Sequence, residues 1–164
     1  MMMQISELIK AQGGLVLSRK ETKASGNGGC PYKRLTLRAL TEDGEIDSSA
    51  LEDFCASEPL NHAWFASPGD VVIRLFSPLC PVVIEEGQEK LLVPSQLAIL
   101  KVKDCTILLP DFLRISLSQK EIQEKIRRIE SGTTQRVVKL STIMELKIEI
   151  PDRETQRRVV EMDT

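Results

Sequence analysis

The feature that most constrains this chain is a change of hydrophobic period near Pro110. Before it, apolar residues fall into short runs, "LVLS", "YKRLTLRAL", "VVIRLF" from Val71 and "QLAILKV", separated by Gly, Pro, Asp and Ser. Runs of this length with such boundaries read as strands. After it, apolar residues take helical spacing. "LLPDFLRISL" enters a helix at Pro110, and in "SQKEIQEKIRRIESG" Ile122, Ile126 and Ile129 share one face. Strands first and helices last is the α+β order. The sequence therefore predicts one α+β domain over residues 1–164. Its N-terminal two-thirds are strand-rich with short helices, and its C-terminal third is helical.

Finer elements follow from local chemistry. Ile5, Leu8 and Ile9 in "QISELIKAQGG" predict a short helix stopped by glycine, and "SSALEDFCA" predicts another, capped by Ser48 or Ser49. Asp43-Gly44 marks a turn, and "PVVIEEGQEKLLVP" reads as a hairpin turning near Glu86-Gly87. Ser118 with Glu121, and Thr142 with Glu145, have capping-box spacing, the second opening a single turn, "TIME". Gly132 suits the left-handed position after a helix. "LKIEI" alternates as a strand up to Pro151, and Asp152 is placed to cap a last helix, "RETQRRVVEM".

The chain has 164 residues, 41% hydrophobic and 28% charged. A domain of this size buries roughly 68–70% of its unfolded surface and needs no staples. It contains no run of 18 apolar residues, and "MMMQISELIK" lacks the apolar core of a signal peptide. A cytoplasmic protein with no membrane contact is expected. The cysteines, Cys30, Cys55, Cys80 and Cys105, share no flanking pattern and form no CxxC, and His62 is the single histidine. These residues give no zinc set and no Cys–His or Ser–His pair with a second imidazole to choose from, so neither a metal nor a catalytic residue is expected.

Charge is uneven. Residues 10–38 carry seven cations against Glu21 alone, residues 42–70 carry eight acids and no Lys or Arg, and residues 114–139 carry seven cations against three acids. Two basic windows brought together make one positive face. Aromatic residues are 4% of the chain, and Phe54, Trp64 and Phe65 lie in or beside the acidic stretch, which argues against a platform for stacking single-stranded bases. Duplex DNA instead needs cations for phosphates and amide or guanidinium forks for base edges. The windows supply both: Arg19, Lys20, Lys23 and Asn27 in the first, and Arg127, Arg128, Thr133, Thr134, Gln135, Arg136 and Lys139 in the second. Thr133, Thr134 and Gln135 could equally satisfy carbonyls at the helix end.

Gly69-Asp70 before one apolar strand, Ser95-Gln96 before another, the loop from Gly132 to Gln135, and Pro151 followed by Gln156 resemble, in that order, the target recognition domain of type I restriction-modification DNA specificity subunits. The resemblance covers residues 69–160 and, loosely, the first third. It implies a non-catalytic subunit that reads one half of a split duplex target. Such a subunit positions a methyltransferase subunit, which uses S-adenosylmethionine to modify adenine, and in the full complex a restriction subunit that cleaves. On this reading the chain itself holds no cofactor. The family carries two recognition domains joined by long helical spacers. Here residues 152–164 are expected to begin a helix belonging to such a spacer. A half-size subunit, a trimmed fragment and a lone domain all remain open, as do the oligomeric state and the DNA target. The acidic middle is expected to point away from DNA, toward a protein partner.

Two other classes stay in play. One is a protein-interaction module that has lost DNA reading. The other is a Mg²⁺-dependent nuclease, because Pro110-Asp111 and Glu145-Leu146-Lys147 echo a Pro-Asp … Glu-x-Lys metal site.

Overall fold

The computed structural model describes residues 1–21, 29–88, 90–129 and 137–163. In chain order they form β1 (Met2–Gln4), α1 (Ile5–Leu8), β2 (Ile9–Gly13), β3 (Cys30–Arg34), β4 (Glu52–Ala56), β5 (Phe65–Ala66), β6 (Val71–Arg74), β7 (Val82–Val83), β8 (Leu91–Leu92) and β9 (Leu97–Val102). Then come α2 (Pro110–Ser118), α3 (Lys120–Ile129), α4 (Leu140–Glu145), β10 (Lys147–Glu149) and α5 (Arg153–Asp163). Strands dominate up to Val102 and helices follow Pro110, which is the α+β order the sequence predicts.

The unbroken apolar runs of β6 and β9 set the centre of the fold. A strand with one wet face alternates apolar and polar residues, whereas one covered on both faces does not. β6 and β9 are the inner strands of an antiparallel sheet ordered β2-β9-β6-β7, with Val71 opposite Leu100 and Val72 opposite Ile99. On one side Val71, Ile73, Ala98 and Leu100 share a core with Phe112, Leu113 and Leu117 of α2 and Ile122 and Ile126 of α3. On the other side Val72, Leu97 and Ile99 meet Ala66 and Leu91 from the second four-stranded sheet, ordered β4-β3-β8-β5, and Leu35 and Val93 just past its strands β3 and β8. The layers are helices, sheet, sheet. Each enclosed Val, Leu, Ile or Phe side chain contributes about 1.5–3 kcal/mol. A one-residue slip of β9 would exchange the contents of the two cores, so the register is firmly held. A third cluster of Leu15, Phe54, Ala56, Phe65 and Leu92 covers the outer face of the second sheet.

Several local expectations give way to long-range pairing. The N-terminal helix is one turn, after which Ile9–Gly13 pairs with β9 from Val102 to Ala98. "LVLS" holds one isolated bridge, Leu15 to Pro94, and then a 3-10 turn over Leu17–Arg19. "SSALEDFCA" is a 3-10 turn capped by Asp47, followed by strand β4, because Phe54 and Ala56 alternate inward. The chain does turn at Gly87 (φ +91), but β7 and β8 do not pair as a hairpin. β7 joins β6, while β8 lies between β3 and β5. Neither capping box forms as expected. Ser118 is still helical and its hydroxyl donates to the Arg114 carbonyl at 2.9 Å, while α4 starts two residues before Thr142, which is buried inside it.

The motif residues at the C-terminal end are structural anchors. The Asp152 carboxylate accepts the Thr155 N–H at 2.7 Å, capping α5 as expected. Gln156 is fully buried and uses both ends of its amide. Its oxygen accepts the Leu109 N–H at 2.9 Å, and its nitrogen donates to the carbonyls of Ile107 at 2.7 Å and Pro151 at 2.9 Å. Gly69 adopts φ +92, and the buried carboxylate of Asp70 accepts the Ser67 N–H at 2.9 Å and Lys101 Nζ at 2.7 Å. This fixes the start of β6. Among the described residues no helix is long and apolar enough to cross a membrane.

Candidate nucleic-acid interface

One end of the central sheet gathers four chain segments. There β2 and β6 finish and β9 begins. The Gly14 N–H donates to the Leu97 carbonyl at 3.0 Å and the Leu15 N–H to the Val93 carbonyl at 2.8 Å. On the other side of β9 the Leu75 N–H donates to the Gln96 carbonyl at 2.9 Å, and the Val138 N–H then donates to the Leu75 carbonyl at 2.8 Å. Segments 14–15, 93–97, 74–76 and 137–138 thus run side by side. The first leads into Arg19 and Lys20, and the last leads into Lys139.

The placement of the expected DNA-binding residues is mixed. Arg19 ends the 3-10 turn, and Lys139 stands exposed immediately before α4. Arg127 and Arg128 are exposed in the last turn of α3. Lys20 is half-engaged: its ammonium pairs with Glu58, and its carbonyl accepts the Ser57 N–H at 2.8 Å beside the end of β4. That ammonium, by donating to it, holds the Glu58 carboxyl below the usual carboxylate range. Lys23, Asn27, Thr133, Thr134, Gln135 and Arg136, with the glycine at 132, lie outside the described residues.

The charge windows are partly neutralised where the sequence suggested open patches. β3 and β4 pair antiparallel, setting Lys33 opposite Asp53 and Arg34 opposite Glu52, and both pairs form ion contacts. Two acids of the middle stretch, Glu52 and Asp53, therefore lie alongside two cations of the first basic window. In the second window, Arg114 ties α2 to α5 through Asp163 at 2.5 Å and is largely buried.

Sequence reasoning missed Arg74, a lone cation at the end of an apolar run and outside both windows. Its guanidinium carbon lies 4.0 Å from the centre of the Phe76 ring, and Nη1 donates to Cys80 Sγ at 3.7 Å. Its Nε is buried with no hydrogen-bond partner. Ser95 and Gln96, on the neighbouring segment, are exposed. The available signal was an arginine ending a strand otherwise buried on both faces. Of the nuclease-like pattern, Asp111 is exposed in the first turn of α2 and Glu145 is exposed at the end of α4. Among the described residues no three His, Cys, Asp or Glu side chains come together in a way that could hold a metal ion.

The arrangement defines a class: an α+β domain whose central sheet is covered by helices on one face and by a second sheet on the other, with loops collected at one end. Solved structures similar in fold come from type I restriction-modification systems. The chain is similar to one from a study of complex assembly and conformational transition of the type I R-M system (TM-score 0.65, 20% identity, 99% of this chain and 37% of that one). It is also similar to the HsdS subunit from Thermoanaerobacter tengcongensis (TM-score 0.63, 19% identity, 99% and 36%). A third is the type I S subunit from M. genitalium (TM-score 0.60, 16% identity, 99% and 37%). At these identities the likeness is one of fold, and it agrees with the target recognition domain that residues 69–160 resemble. The chain spans a little over a third of the length of these subunits. No family model and no curated protein matches the sequence.

Proposed function

We propose that this chain is a non-catalytic, sequence-reading module for duplex DNA, of the type I specificity class, and that it positions a partner adenine methyltransferase. The observation that carries this reading is the fold likeness to S subunits over 99% of the chain. The gathering of the stems of both basic windows at one sheet end supports it, because a duplex contacted there meets cations from segments far apart in sequence. On this reading phosphate contacts come from Arg19, Lys20, Lys23, Arg127, Arg128, Arg136 and Lys139. Asn27, Thr133, Thr134 and Gln135 supply polar groups to base edges or phosphate oxygens. S-adenosylmethionine belongs to the methyltransferase, and a restriction subunit joins where cleavage occurs. Residues 1–164 act as one recognition domain, with 152–164 opening a spacer helix.

A binding selection on random duplexes, run with and without a methyltransferase subunit, tests this reading. Enrichment of one short sequence by the chain, retained when the methyltransferase joins, is expected. Capture of the methyltransferase with no duplex binding at low salt would instead make the chain a protein-interaction module. Mg²⁺-dependent cleavage by the chain alone, abolished by Glu145→Ala, would make it a nuclease.

A further inference from the structure

The sheet end that carries the two basic stems also holds a cation that the protein leaves without a carboxylate. Arg74 is the last residue of β6 and sits between segments 93–97 and 137–138. It enters no ion pair among the described residues, whereas Lys20, Arg34 and Lys101 each hold a carboxylate. Its guanidinium carbon lies over the Phe76 ring, 4.0 Å from the ring centre. A guanidinium N–H left buried and unpaired, as Nε is here, is destabilising, so something else favours keeping an arginine at this position.

The contact that Arg74 does make is a weak one. Nη1 reaches a thiol sulfur at 3.7 Å, and thiol sulfur is a poor acceptor. Cys80, which supplies it, is a buried residue held at φ +44, a left-handed conformation that side chains other than glycine seldom adopt. A weak N–H···S contact is readily exchanged for an N–H···O or N–H···N bond from an incoming acceptor. Among the described residues the Cys80 sulfur is the one acceptor that the guanidinium meets. The two Nη groups form the planar fork that matches guanine O6 and N7. Next to it the Gln96 side chain is exposed, on the segment whose backbone carbonyl holds Leu75 in place.

We propose that Arg74, seated over the Phe76 ring, is a base-reading residue of this domain that selects a guanine in the major groove, with Gln96 contacting the adjacent pair. The inference rests on the duplex-reading function proposed above and adds a specificity determinant outside both basic windows.

The test compares the full chain with Arg74→Lys, Phe76→Leu and Gln96→Ala by selection on random duplexes, followed by affinity and salt titrations on the selected sequence. Arg74→Lys keeps the charge and loses the fork. It is expected to weaken binding to the selected duplex by roughly 5- to 150-fold, to erase preference at one G·C position, and to leave the salt slope unchanged. Phe76→Leu keeps the arginine but removes the ring beneath it, and is expected to relax preference at that same position. It also serves if Arg74 variants fail to fold. Gln96→Ala is expected to relax the neighbouring position. An unchanged preference in Arg74→Lys and Phe76→Leu, or an equal loss on every sequence, overturns the assignment while leaving the duplex-reading function standing. Failure of the wild-type chain to enrich any sequence overturns both.

Discussion

Gly14 passes so close to Pro94 that a Cβ on the glycine would stand 1.8 Å from the Pro94 carbonyl oxygen and 2.7 Å from that of Val93. The obstacle is backbone on both sides, so it cannot rotate away. This close approach seats the segment that carries Arg19 and Lys20 against the start of β9. Gly14→Ala is expected to cost about 3 kcal/mol, a fall in Tm of roughly 6–12 °C for a domain of this size. Gly13→Ala is the control, because a Cβ there meets nothing within 4 Å. Thermal unfolding of the two variants gives the comparison, and equal losses would show that the contact does not hold the segment.

Gln156 joins three backbone groups from two separate stretches. Gln156→Leu would remove the partner of the Leu109 N–H and of two carbonyls, at roughly 1–3 kcal/mol for each group that water cannot reach. A loss of about 3 kcal/mol or more in denaturant unfolding is expected. Gln156→Glu should be no milder at neutral pH, since a carboxylate can accept from Leu109 but cannot donate to Ile107 and Pro151.

Acid should weaken the fold through exposed carboxylates that cap turns and helices. The Thr155 backbone N–H holds the Asp152 carboxyl below the usual carboxylate range, and the Thr106 hydroxyl, with the Thr106 backbone N–H, does the same for Asp104. A group whose folded pKa is depressed adds stability above its unfolded pKa and loses that contribution as pH falls through the folded value. Stability is therefore expected to be flat near neutral pH and to decline below the ordinary aspartate range. Asp152→Ala should lower Tm at pH 7 and make the acid decline shallower. If Asp152→Ala and wild type converge in acid, the cap is titrating as described. A constant gap between them at every pH would contradict it.

The cations at the sheet end should differ in weight. Arg19 has no carboxylate partner among the described residues, whereas Lys20 already holds Glu58. If both reach phosphate, Arg19→Ala should lower the slope of log affinity against log salt by about 0.9, and Lys20→Ala by less. Gln135→Ala, if it reads a base edge, should cost roughly 1–3 kcal/mol and relax preference at one position. An equal loss on all sequences would make it a phosphate or structural contact.

What the sequence made legible follows from how local each signal is. α2, α3 and α5 could be read from helical spacing, Pro110 and Asp152, all of which act within a turn or two. β6 and β9 could be read because burial on both faces leaves a continuous apolar run. Ile9–Gly13 could not, since its partner strand lies some 90 residues away and pairing with it outweighs weak helical preference. "LEDFCA" misled because Leu, Glu and Ala favour helices, yet its inward alternation of Phe54 and Ala56 was present. At the candidate interface, net charge identified the two windows but not which cations would be spent on acids across β3 and β4. Arg74 was missed because a single cation has no weight in a window count. Its meaning comes from Phe76 and Cys80 around it, which only the folded chain brings together.

The most direct measurement is the affinity of the full chain for its selected duplex and for a scrambled duplex of the same composition, across a range of salt. The account predicts about 100-fold or more in favour of the selected sequence, with both affinities falling as salt rises and the ratio between them preserved. Equal affinity for the two duplexes at every salt concentration, or no binding even at low salt, would contradict it.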